Sequence, residues 1–138
     1  MSKILSNLFR ITSILIFVQL LIGGLLTFDF ITPAMHIIVG FFVSALALAT
    51  MVVALRSKNL NEKVLKLMSI GLVVLIALQI ILGFETLESG SQVLAWIHFV
   101  VALGIYGMSV AGSVMSSFLG RLVSLGSQTN ASEVQEQS

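Results

Sequence analysis

Four stretches of this chain are each long and apolar enough to cross a lipid bilayer, and no other feature of the sequence restricts its fold so strongly. They run approximately from Ile11 to Phe28, Ala34 to Leu55, Leu65 to Phe84 and Val93 to Phe118. A hydrocarbon core of roughly 30 Å takes about 20 helical residues to cross, and inside it every backbone N–H and C=O must be bonded within its own helix. Of the 138 residues 57% are hydrophobic and 9% charged, which is more apolar surface than a water-soluble core of this size can hide. The sequence therefore predicts an all-α integral membrane protein, an up-down-up-down four-helix bundle within residues 1–126. Residues 127–138, polar and without an apolar period, are predicted to be a disordered tail.

Charge sets the expected orientation. All seven basic residues fall on one side: Lys3 and Arg10 before the first segment, Arg56, Lys58, Lys63 and Lys66 between the second and third, and Arg121 after the fourth. That side is predicted to be cytoplasmic, with both termini. The other side has two short predicted loops, residues 29–33 and 85–92, carrying only the acids Asp29, Glu85 and Glu88. Because the basic residues flank apolar spans, topology accounts for them, and no nucleic-acid partner is expected. No small-x-small cleavage pattern follows the first segment, so it reads as an anchor rather than a signal peptide. The chain has no cysteine, which removes disulfides and thiolate chemistry.

An internal repeat sharpens the picture. Gln19-Leu20-Leu21-Ile22-Gly23 in the first segment aligns with Gln79-Ile80-Ile81-Leu82-Gly83 in the third, at a shift of about 60 residues. His36 and Gly40 in the second segment align with His98 and Ala102 in the fourth at nearly the same shift. The chain thus reads as one helical hairpin used twice, over about 10–58 and 64–120. Positions three and four apart share a helix face. Following each histidine, one face reads His36, Gly40, Val43, Ala47, Thr50, Ala54 and the other His98, Ala102, Ile105, Ser109, Gly112, Ser116. Membrane helices pack through small residues, so both histidines are expected to point into the bundle.

Two inward imidazoles at matched depth are a candidate ligand pair. In an up-down-up-down bundle the second and fourth helices are diagonal neighbours about 11–14 Å apart, a span suited to an iron held between two histidines. Zinc would ask for about four ligands and closer helices. The predicted cofactor is haem, with His36 and His98 as iron ligands. Gly40, Ala102, Gly23 and Gly83 would give a porphyrin room, and equally allow plain close packing. Gln19 and Gln79 read first as interhelical hydrogen-bonding residues and second as contacts to haem or a quinone. The plain alternative for each histidine is an interfacial polar residue, and for Asp29, Glu85 and Glu88 a solvated loop charge. Trp96 reads as an interfacial anchor.

The Gln-x-x-x-Gly of the first and third segments and the histidine near the outer end of the second and fourth resemble one half of a haem A synthase, over roughly residues 10–118. That resemblance implies His36 and His98 as axial ligands to one haem on the outer side, whether haem b or a haem O/haem A substrate or product. It also implies oxidation of the C8 methyl of haem O to a formyl group. Among the outer-loop acids, Glu85 is the candidate catalytic residue. Members have two four-helix halves. A homodimer built through small residues of the fourth segment (Gly107 with Ala111, Gly112 with Ser116) would restore eight helices. The alternatives are an accessory cytochrome b-type subunit of a respiratory oxidase exchanging electrons with quinol, and a haem-free scaffold.

Overall fold

The structure is a computed structural model that describes residues 2–28, 30–57 and 63–136. Asp29 and Lys58 lie outside the described residues. Within them the chain forms α1 (Ser2–Thr27), α2 (Pro33–Arg56), α3 (Lys63–Ser89) and α4 (Gln92–Glu136). Each carries a stretch long and apolar enough to span a membrane. Helix α1 packs against α2 and α4, and α3 packs against α2 and α4, which leaves α1 and α3, and α2 and α4, as the two diagonals. This is the up-down-up-down membrane bundle of two hairpins that the sequence predicts.

Helix ends follow from local chemistry. Pro33 opens α2, where its missing N–H costs nothing and its fixed φ suits the first turn. Between α3 and α4 the turn is only Gly90 and Ser91. Gly90 adopts φ +63, a left-handed conformation that glycine reaches without strain, and its N–H bonds Thr86 O at 3.0 Å. Ser91 Oγ then accepts from Leu94 N at 3.4 Å and caps α4. The predicted outer loop 85–92 therefore shrinks to two residues, and Glu85 and Glu88 ride on α3. Nothing between Phe84 and Ser89 interrupts a helix, and the acids tolerate the exposed final turns. Helix α4 continues through residues 127–136. No proline stops it, and extending an existing helix is far easier than nucleating one.

The interior is layered along the bundle axis. At the end shared by Lys3, Arg56, Lys63 and Arg121, Leu5, Phe9, Ala54 and Leu65 form a buried apolar cluster. Phe9 is fully buried because α4 presents Gly112 to its ring, where an added Cβ would lie 2.5 Å from Phe9 Cε1. Next come interhelical hydroxyl pairs: Ser13 with Ser109 at 2.8 Å and Thr12 with Thr50 at 3.3 Å. Above them lies a second apolar layer of Ile16, Val43, Ala47, Leu72, Ile76 and Ile105. The predicted small-residue faces are the inward ones: Val43, Ala47, Thr50 and Ala54 are buried on α2, and Ile105, Ser109 and Ser116 on α4. Phe41, Phe42 and Leu48 face outward, where lipid accepts their bulk.

Candidate functional site

Beyond the second apolar layer, toward the end opposite the basic residues, the bundle places Gln19 on α1, His36 on α2, Gln79 on α3 and His98 on α4 together. The two imidazoles meet across the α2–α4 diagonal with ring centroids 6.2 Å apart and planes inclined at 59°. Two imidazoles that each bring a nitrogen to about 2 Å from one iron have ring centres about 6 Å apart. The separation of the two rings is of that order. Among the described residues no three His, Cys, Asp or Glu side chains come together as a metal-ligand group.

The same scaffold holds each ring. A Cβ at Gly23 would lie 3.1 Å from His36 Cε1, and a Cβ at Gly83 would lie 3.1 Å from His98 Cε1. Each glycine of the Gln-x-x-x-Gly pattern is therefore a seat for the histidine of its own hairpin. Gly40 lies against Gln19 in the same way, with Gln19 Nε2 3.2 Å from an added Cβ. The glutamines serve the histidines too. Gln19 Nε2 donates to His36 O at 2.9 Å, and Gln79 Nε2 donates to His98 O at 2.7 Å. They act as interhelical hydrogen-bonding residues through the backbone, as the sequence reading had it first.

What distinguishes this layer is incomplete pairing. Gln19 Oε1, Gln79 Oε1, His36 Nδ1 and His98 Nδ1 are buried with no hydrogen-bond partner among the described residues. Burying such an atom with no partner costs about 1–3 kcal/mol. Water or a bound group that donates to the amide oxygens, or pairs with the two Nδ1 atoms, would relieve it.

The remaining predicted residues separate. Ala102 is half-buried one turn beyond His98. Glu85 is exposed on α3, two residues past the Gly83 seat. Trp96 is 68% exposed and stacks edge-on against Phe99 at 6.2 Å, as an anchor facing outward. Gly112 and Ser116 are buried against α1 and so form no dimer surface, whereas Gly107 and Ala111 are exposed. Sequence reasoning missed the hydroxyl pairs. Their signal, Ser and Thr recurring on the inward faces, was present, but pairing depends on the rotation of each helix. No protein-family model, curated protein or solved structure matches the chain.

Proposed function

We propose that this is a membrane haem b protein whose single iron would be held by His36 and His98. The observation that carries the reading is the pair of rings 6.2 Å apart on diagonal helices, each seated on a glycine of a neighbouring helix. When bound, haem supplies one-electron transfer. The chain's own residues supply the rest: Gly23 and Gly83 set how far each imidazole reaches, and Gln19 and Gln79 hold the histidine backbones in register. The apolar layer of Ile16, Leu72, Ile76 and Ile105 keeps water from reaching the site through the bundle. By the distribution of basic residues the site faces the outer side of the membrane, where it exchanges electrons with a quinol or a partner protein. Haem A synthase-like use of the same pair, with haem as substrate, belongs to this proposal and rests on the family resemblance.

The test is an absorption spectrum of the detergent-purified protein with a pyridine haemochrome assay. One haem b per chain and a split visible band on reduction are expected, with His98→Ala losing both. Haem a in the extract would favour the synthase-like use, and a colourless protein that takes up no added haemin would end the proposal.

A further inference from the structure

Between α1 and α2, on the outer surface of the bundle, Ile11, Leu15, Phe42, Ala45, Leu46 and Ala49 line an open groove of about 380 Å³. Elsewhere these two helices turn bulk toward lipid, as at Phe17, Phe41 and Leu48. Here α2 presents two alanines one turn apart, and the missing bulk leaves a furrow beside Ile11 and Leu15. The lining is wholly apolar, but both walls run on into charge. Leu15, Ile11, Asn7 and Lys3 form one ridge of α1 at steps of four, and Ala45, Ala49, Val52 and Arg56 lie on one face of α2. At about 1.5 Å of rise per residue, Lys3 stands about 12 Å beyond Ile11, and Arg56 about 10 Å beyond Ala49. The two helices form an antiparallel packed pair, so both basic residues arrive at the same end of the groove. Lys3, Arg56 and the nearby Arg10 are exposed, and no hydrogen bond or ion pair among the described residues holds their side chains.

We propose that the α1–α2 groove is a binding site for an anionic phospholipid, which lays one acyl chain along Ile11, Leu15, Ala45 and Ala49 and sets its headgroup against Lys3 and Arg56. The charges select this occupant. A basic pocket between membrane helices attracts anionic headgroups, and the long stems of Lys and Arg carry their charges to headgroup level. A second copy docked symmetrically on the same groove, inserted in the same orientation, would instead bring Lys3 and Arg56 of one protomer against the same cations of the other. The proposal stands apart from the haem reading, since the groove lies on the outside of the bundle and shares no residue with the histidine layer.

Native mass spectrometry of the full chain in detergent, titrated with dioleoylphosphatidylglycerol and separately with dioleoylphosphatidylcholine, reads the affinity for the first lipid bound. Phosphatidylglycerol is expected to bind about tenfold or more tightly than phosphatidylcholine. Lys3→Gln and Arg56→Gln should each weaken phosphatidylglycerol about fivefold and leave phosphatidylcholine unchanged. Ala45→Leu combined with Ala49→Leu fills the groove, keeps both charges and should weaken phosphatidylglycerol about fivefold. Ala49→Leu alone should act in the same direction and covers the case in which the double variant does not fold. Affinities for the two lipids within twofold of each other overturn the proposal, as does full phosphatidylglycerol affinity in both charge variants. Full affinity in the filled-groove variants also overturns it, because the headgroup would then be held at the surface with no seat for its chain. A dimer that forms without added lipid and is lost on filling the groove would assign the furrow to a second copy, which overturns it too. None of these outcomes depends on whether the protein carries haem.

Discussion

Two polar layers of the bundle are built on opposite principles. In the layer nearer the basic end, Ser13, Ser109, Thr12 and Thr50 pair across helices, and Ser13 and Thr50 also donate to the carbonyls of Phe9 and Leu46 at 2.8 Å. In the other, four amide and imidazole atoms remain buried and unpaired. Hydroxyl groups are compact and can always fall back on the carbonyl four residues earlier in their own helix. Glutamine and histidine have no such fallback, so each unpaired atom must be met by water or a bound group or carry a desolvation cost. The hydroxyl layer closes its hydrogen bonds within the bundle, and the amide and imidazole layer does not.

The largest expected effect breaks the structural side of this contrast. Gly112→Ala would drive a methyl to 2.5 Å from Phe9 Cε1, and Phe9, fully enclosed, has nowhere to go. We expect a loss of about 1–3 kcal/mol in unfolding by SDS in mixed micelles. A loss below about 0.5 kcal/mol would show that the α1–α4 contact is looser than its geometry implies.

A smaller effect of opposite sign belongs to the site layer. Gln79→Leu removes one orphaned oxygen together with one bond to the His98 carbonyl. The carbonyl keeps its partner in α4, so stability should hold or rise by up to about 1 kcal/mol. Clear destabilisation in the same assay would mean that Gln79 is a structural clamp and that the two layers are of one kind. The smallest effect is the coupling between Ser13 and Ser109. A double-mutant cycle to alanine should return about 0.6 kcal/mol, typical of hydrogen bonds between membrane helices. A coupling of zero would remove the hydroxyl pairs from the account of what joins α1 to α4.

Most of this architecture is legible in the linear sequence because lipid makes few demands and makes them everywhere. Length and hydropathy alone identify the four spans. The face running from His36 to Ala54 is identified by residue size, since Phe41, Phe42 and Leu48 fall off it and meet lipid. Placing both histidines on one diagonal needed only helix period and hairpin order. Two things were not legible. The glycines at 23 and 83 could be read as vacant space, yet each is filled by a ring on the next helix, and that depends on the axial offset of one helix against another. Acids at 85 and 88 resemble loop residues by composition, but helix α3 passes through them because its stop signal is the conformation of Gly90.

The side chains of Ile16, Val43, Ala47, Leu72, Ile76 and Ile105 offer no hydrogen-bonding atom, but Tyr106 of α4 packs against them and brings a phenol hydroxyl to their level. The shell that separates the imidazoles from the hydroxyl pairs is therefore apolar at its centre and polar on one flank, so the two layers are insulated from each other along the bundle axis more completely than around its rim.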